Sequence, residues 1–162
     1  MIKPYHKFGV TQKDLLNNVK NHFVSSFPFF GQLKNQKDIL ACFDTQFNQP
    51  DFQLTTLQLF IEEFSISASK ASQIFYRWEI STDKSIQNFA PYALHCMRTR
   101  FLFYIALRNG IITTRPTNWL DLEYLYYLPF CRVFLSNDKF HDEIVPYLIN
   151  KNQLYIKGNL MK

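Results

Sequence analysis

The stretch NWLDLEYLYYLPFCRVFLSNDKFHDEIVPYLINKNQLYIKG, residues 118–158, decides the fold. It predicts a helix over 119–128, followed by an apolar strand over 131–136. A second helix is predicted over 138–150 and a second strand over 153–158. Strand, helix and strand in this order indicate two parallel strands joined by a right-handed crossover.

The ends of these elements fall at residues with known conformational preferences. Asn118 is a favourable N-terminal cap for the first helix, and Pro129 stops that helix. Pro146 falls inside the second helix, which it is expected to bend or shorten because it removes a backbone donor.

Two aspartates stand out among the aromatic and aliphatic residues of this stretch. Asp121 lies near the start of the first helix, and Asp138 follows the first strand. Because the helix runs opposite to the strand that it precedes, both aspartates are expected at the same edge of the sheet. Open α/β sheets bind ligands at the carboxyl ends of their strands, and carboxylates that meet there can hold Mg²⁺. Glu123 would join this cluster if the first helical turn were irregular.

Helix capping is the alternative role for both aspartates. Asp121 is the third helical residue after Asn118, where a carboxylate helps to satisfy backbone amides, and Asp138 suits the N-cap of the second helix. Each such role contributes about 0.5 to 2 kcal/mol. Spacing alone favours capping over metal binding, although one residue can do both.

Basic and aromatic residues near this edge suit a phosphate-rich partner. His141 follows Asp138 by three residues and would touch a bound phosphate, although a surface position without a role is the alternative. The tyrosines of YLYYLPF would stack on unpaired bases, or else belong to the core. The candidate cations are Lys139, Arg98, Arg132 and Arg115, and the candidate stacking residues are Tyr124, Tyr126 and Tyr127.

The rest of the chain is predicted to be helical. The segment 89–110 is apolar almost all round, which places it at the centre of the core. We expect one domain over 1–162, with a helical part over 1–82 and an α/β part over 83–162. The upstream helices are predicted at 11–27, 35–47, 55–64 and 69–80, with an extended segment at 49–54.

Composition excludes several classes of protein. Hydrophobic residues make up 47% of the 162 residues and aromatic residues 17%, which argues against disorder. The three cysteines, with four histidines at no ligand spacing, favour buried thiols in a reducing cytoplasm over disulfides or a zinc site. Neither a membrane span nor a signal peptide is expected, and four glycines form no phosphate-binding loop. The net charge of +5 weakly favours nucleic acid.

Two resemblances add to this interpretation. The segments FNQPDFQLTT, FAPYALHC, LDLEYLYYLPFCRVFLSNDKFH and NQLYIKGNLMK resemble the C-terminal part of a widespread, largely uncharacterised family of bacterial proteins. More distantly, the chain is similar to PIN-like nucleases, which have a three-layer fold with a small parallel sheet. In those proteins an acidic residue at the start of a late helix, here Asp121, and the aspartate of an S-x-D stretch, here Asp138, bind Mg²⁺ or Mn²⁺ for RNA cleavage.

The PIN-like pattern includes two further carboxylates. One is an aspartate after the first strand, for which CFDTQF offers only Asp44 in a helical context. The other is a glutamate on an intervening helix, for which Glu62, Glu63 and Glu79 are equal candidates. A chain that lacks the first aspartate would be inert alone or would complete its site with another polypeptide.

Three functions are therefore expected. The first is a metal-dependent, PIN-like ribonuclease. The second is a non-catalytic interaction module, such as a homo-oligomer or one component of a larger complex or a toxin–antitoxin pair. The third is a nucleic-acid-binding protein without catalysis, whose RNA affinity would depend on salt and not on chelator.

Overall fold

The computed structural model describes residues 38, 45, 49–108, 110–112 and 117–158, without the side chains of Glu63, Arg108 and Trp119. The predicted helices at 11–27 and 35–47 lie outside the described residues, apart from positions 38 and 45. The α-helices are α1 (Pro50–Glu63), α2 (Ala68–Ile80), α3 (Ile86–Phe89), α4 (Pro91–Arg108), α5 (Asn118–Tyr126) and α6 (Lys139–Ile144); the strands are β1 (Val133–Ser136) and β2 (Leu154–Lys157); and 3-10 turns cover Leu128–Phe130 and Val145–Tyr147.

The strands β1 and β2 form a two-stranded parallel sheet, as the strand–helix–strand pattern predicts. Val133 pairs with Leu154 and Ser136 with Lys157. The crossover between the strands is α6, which is six residues long and continues as a 3-10 turn containing Pro146. Pro146 thus shortens the helix because it cannot supply the next backbone hydrogen bond. A helix-rich fold with a small parallel sheet is confirmed.

The two faces of the sheet differ in exposure. Phe134 and Tyr155 lie opposite each other on the inner face, with ring centroids 6.1 Å apart. Val133, Leu135 and Leu154 lie on the other face, and about half of each side chain is exposed. Parallel sheets are usually covered on both faces, so this apolar outer face is unusual.

Helix α4 is the centre of the core, as its apolar sequence predicts. Phe103 and Ile105 of this helix are buried and belong to one cluster with Leu122 of α5. Leu57 of α1 and Trp78 of α2 are part of the same cluster, so the helices on either side of position 82 share a core. The cluster holds α5 against α4, which fixes the position of the first turn of α5.

Some predicted boundaries are wrong. Of the segment 49–54 only Gln49 is extended: α1 begins at Pro50, which fits a first helical turn, and carries Asp51 in that turn. The cap of α5 is Thr117, so Asn118 is already helical. Gly110 has a φ of 68° after α4, as expected of a left-handed helix stop. Among the described residues, no helix is both long and apolar enough to cross a membrane.

Candidate functional site

Asp121 and Asp138 line the same cleft at the carboxyl end of β1. Asp121 lies in the first turn of α5, and Asp138 is the N-cap of α6. This acidic cleft has a volume of about 120 Å³ and is also lined by Lys139. A buried water needs roughly 10 to 15 Å³ of such volume, so the cleft accommodates a hydrated ion. Its other walls are Ile111, Ile112, Thr117, Asn118 and Phe140.

Asp138 performs the capping role considered for it. One carboxylate oxygen, Oδ1, accepts a hydrogen bond of 2.7 Å from the backbone amide of Phe140. The backbone amide of Asp138 itself donates to the hydroxyl of Ser136 at 3.0 Å. Among the described residues, nothing donates to Oδ2 of Asp138, so this oxygen remains available to a ligand.

Asp121 does not cap its helix through its side chain. Its backbone amide donates to the carbonyl of Thr117 at 3.1 Å, as a helical residue does. Its carboxylate makes no hydrogen bond to any residue that the structure describes, although it faces the acidic cleft. A carboxylate that has no hydrogen bond to these residues and faces a concave site is well placed to bind a ligand.

The electrostatics of the cleft disfavour a second negative charge. Burial raises the pKa of Asp121 above its ordinary value of 3.8, and the negative charge of Asp138 raises it further. His141 acts in the opposite direction and lowers this pKa. Two carboxylates that repel each other are stabilised together by a cation between them.

This repulsion predicts a pH-dependent effect of Asp121→Asn. The pKa of Asp121 is higher in the folded protein than in the unfolded chain, so the folded state favours the protonated carboxyl. This contribution to stability is present below pH 3.8 and is lost as the pH rises through the folded-state pKa. In metal-free protein at pH 7, D121N should therefore raise the Tm, by no more than about a few degrees because solvent screens a partly exposed carboxylate. The gain should vanish near pH 3, where both proteins carry a neutral group. Thermal unfolding followed by circular dichroism tests this, and an unchanged or lower Tm at pH 7 would contradict it.

His141 is placed differently from the expected phosphate contact. Only 4% of its surface is exposed, and it lies between the acidic cleft and the inner face of the sheet. Its Nε2 lies 3.0 Å from the backbone carbonyl of Asp121, and its Nδ1 lies 2.7 Å from the hydroxyl of Ser136. With both ring nitrogens occupied inside the protein, His141 cannot reach a phosphate on the surface.

The hydrogen bonds around His141 connect the two aspartates. A carbonyl oxygen only accepts, so the Nε2–H group of His141 donates to Asp121. In the neutral imidazole Nδ1 is then the acceptor, and the Ser136 hydroxyl donates to it while accepting from the amide of Asp138. His141 therefore positions the site rather than contacting the ligand. The spacing S-x-D-x-x-H, from Ser136 to His141, is the sequence feature that corresponds to this arrangement.

The other candidate residues are divided between different places. Lys139 is exposed at the rim of the acidic cleft, where its ammonium suits a phosphate. Arg132 is exposed directly before β1, at the opposite edge of the sheet, and Arg98 lines a second cleft there. Glu123 is exposed and does not line the acidic cleft, because α5 is regular and places it about 200° around the helix from Asp121.

A complete PIN-like set of four carboxylates is not assembled by the described residues. Among them, no group of three or more His, Cys, Asp or Glu side chains is positioned to hold a metal ion. Glu62 and Glu79 are exposed on α1 and α2 and do not line the acidic cleft. Asp44 lies outside the described residues, and the side chain of Glu63 is not described. Among the described residues, Asp121 and Asp138 are thus the two carboxylates that line this cleft.

The tyrosines after Asp121 are mostly not core residues. Tyr124 and Tyr127 are each exposed over more than half of their surface, on one side of α5. Tyr126 is half-buried, and its hydroxyl accepts a hydrogen bond of 2.8 Å from Nε of Arg100. Two of the three rings therefore face solvent, as stacking on a ligand requires.

Comparisons of the chain with protein-family models, with curated proteins and with solved structures find no match. The chemistry of the acidic cleft is therefore the basis for assigning a function. The carboxylate of Asp138 accepts a backbone hydrogen bond, whereas that of Asp121 has no hydrogen bond to the part of the chain that the structure describes, and both face the same small cleft beside Lys139. This arrangement can bind a hard divalent cation and a phosphate oxygen together.

Proposed function

We propose that this chain is a metal-dependent, PIN-like ribonuclease that hydrolyses RNA phosphodiesters at the acidic cleft. The observation that carries the proposal is the convergence of Asp121 and Asp138 on one cleft, in which burial and charge repulsion raise the pKa of Asp121. Titratable groups with perturbed pKa values in a cleft are typical of functional sites. The PIN-like three-layer arrangement is part of the same proposal and is supported by the parallel β1–α6–β2 unit.

Two carboxylates are sufficient to bind an ion such as Mg²⁺. Mg²⁺ is commonly bound by one or two carboxylates together with substrate phosphates, and it keeps several waters. Asp121 would contribute its unbonded carboxylate, and Asp138 would contribute Oδ2 while Oδ1 stays bonded to the amide of Phe140. Further ligands, where they exist, would come from outside the described residues or from another polypeptide.

Each residue of the cleft has a distinct role in this proposal. A bound Mg²⁺ or Mn²⁺ would supply Lewis-acid activation of water and neutralise charge on the phosphate. Lys139, at the rim, would hold a non-bridging phosphate oxygen and orient the RNA backbone. His141 and Ser136 keep the two aspartates at a fixed separation, so that the ligands are in place before the ion binds.

The proposal is tested by incubating the purified chain with single-stranded RNA and Mn²⁺. Cleavage is expected with Mn²⁺ or Mg²⁺ and is expected to stop with excess EDTA. A double-stranded RNA of the same sequence should be cut more slowly, because its bases cannot unstack onto the exposed tyrosines. Absence of metal-dependent cleavage in every RNA tested would count against the ribonuclease.

A non-catalytic interaction module is the second candidate. It is favoured by the outer face of the sheet, where Val133, Leu135 and Leu154 expose apolar surface. Exposed contiguous apolar surface is common at sites of protein association. This candidate predicts a stable oligomer or complex that chelator does not dissociate, which size-exclusion chromatography with light scattering would show.

A further inference from the structure

A second cleft lies at the amino ends of the strands, whereas the acidic cleft lies at the carboxyl end of β1. It is bounded by the first two turns of α4, by the 3-10 turn before β1 and by the segment that leads into β2. Its volume of about 380 Å³ falls within the range of small-molecule sites, roughly 300 to 1,000 Å³. We name it the ring-lined cleft, after the residues Tyr92, Phe130 and Tyr147, which line it together with His95, Arg98 and Gln153.

Aromatic rings at the mouth of this cleft are exposed rather than packed in the core. Phe130 is 71% exposed and Tyr92 is 43% exposed, and their ring centroids are 5.2 Å apart at an interplanar angle of 50°. Tyr127, the C-cap of α5, lies close enough to influence the pKa of Tyr92, which is raised first by burial and then by Cys96. Exposed rings around a concave site offer π faces to a planar ligand.

The described residues that line the ring-lined cleft carry one positive charge. Among the described residues that line it, Arg98 is the only one with a formal charge at neutral pH, and none is a carboxylate. Burial lowers the pKa of His95, the hydrogen bond to the carbonyl of Leu125 acts against this, and the charge of Arg98 lowers it further. The lowered pKa favours the neutral form of His95 at pH 7, so Arg98 supplies the positive charge among the described lining residues.

One wall of the cleft is held in place by hydrogen bonds. The side-chain amide of Gln153 donates to the carbonyls of Leu128 and Cys131, which lie on either side of Phe130. The side-chain carbonyl oxygen of Gln153 accepts a hydrogen bond of 3.0 Å from the backbone amide of Asn150. The backbone that carries Phe130 is thereby tied to the segment before β2, so the cleft is preformed.

We propose that the ring-lined cleft binds an unpaired nucleotide of single-stranded RNA, with its base against Tyr92 and Phe130 and its phosphate beside Arg98. The inference rests on the proposed function in taking RNA as the ligand, and it adds a substrate subsite away from the acidic cleft. Helix α5 connects the two clefts: Asp121 is in its first turn, and Leu125, about 6 Å further along the axis, contacts His95. Tyr124 and the C-cap residue Tyr127 are exposed on the helix that lies between the two clefts.

The experiment measures binding of a fluorescein-labelled, single-stranded RNA of about ten nucleotides in EDTA, by fluorescence anisotropy. Removing a stacked ring costs roughly 5- to 150-fold in affinity, so F130A and Y92A should each weaken binding by a factor in that range. Tyr76→Ala is the matched control, because Tyr76 is a similarly exposed ring, at 63%, on α2 and outside the cleft. It should leave the affinity unchanged.

The outcomes separate the subsite from the ribonuclease. Because binding is measured without metal, weaker binding by F130A and Y92A supports the subsite even if the wild-type chain cleaves no RNA. The subsite is overturned if F130A and Y92A bind RNA with the same affinity as Y76A. It is also overturned if the wild-type chain binds no RNA, even if cleavage is observed. The replaced rings are exposed, so the thermal unfolding curves of the variants should match that of the wild type.

Discussion

Asp138→Asn should reduce metal-dependent RNA cleavage by at least about 100-fold while leaving the fold intact. The substitution removes the negative charge that the ion needs but keeps a side-chain oxygen for the amide of Phe140. Asparagine is as good an N-cap as aspartate, so α6 should form normally. Initial rates on single-stranded RNA with Mn²⁺, together with a thermal unfolding curve, separate the loss of chemistry from a loss of structure.

Glu123→Gln is the matched control for this experiment. It removes a carboxylate from the same helix as Asp121, but from an exposed position outside the acidic cleft. E123Q should cleave at the wild-type rate. Equal rates for D138N and the wild type would show that the acidic cleft does not catalyse the reaction. A large loss for E123Q would instead place Glu123 among the ligands.

His141→Ala should lower the free energy of unfolding by about 2 to 4 kcal/mol, the largest effect on stability expected in the site. The imidazole is buried and packs against Phe134, with ring centroids 5.2 Å apart and a nearly perpendicular arrangement. Its removal leaves a cavity, the carbonyl of Asp121 without its donor and the hydroxyl of Ser136 without its acceptor. Urea unfolding monitored by circular dichroism measures the loss.

Ser136→Ala distinguishes the hydrogen bonds from the packing. It removes the hydroxyl between His141 and the amide of Asp138 without opening a large cavity, so it should cost about 1 kcal/mol. Both variants should bind Mn²⁺ more weakly than the wild type in calorimetry, since the aspartates lose their fixed separation. A stable H141A protein with wild-type Mn²⁺ affinity would contradict the positioning role.

The parallel unit could be predicted from the sequence because its information is local. Pro129 and Pro146 mark the ends of helices, and the apolar runs on either side of α6 have the length of strands. The start of α1 was missed because the sequence around Pro50 is compatible with both an extended segment and a first helical turn. Propensity does not separate these two states, and packing of Leu57 and Phe60 into the core decides between them.

The two clefts differ in how far the sequence reveals them. Asp121 and Asp138 lie at the same end of the sheet because α5 runs opposite to β1, so the topology alone predicts that they are close. The burial of His141 does not follow, because it depends on which way the first turn of α6 faces. The ring-lined cleft has no sequence motif, since Tyr92, Phe130 and Gln153 are distant in sequence and are brought together by tertiary contacts, including the hydrogen bonds of Gln153 to Leu128 and Cys131.

The bonds around His141 also make the site cooperative. One imidazole joins the end of β1, the first turn of α5 and the short helix α6, which at six residues is too short to persist without tertiary contacts. When α6 frays, the cap at Asp138, the imidazole and the support for Asp121 are released in a single opening. Affinity for the proposed ion should therefore depend on the folding of α6, whose Phe140 and Ile144 belong to the same buried cluster as α4.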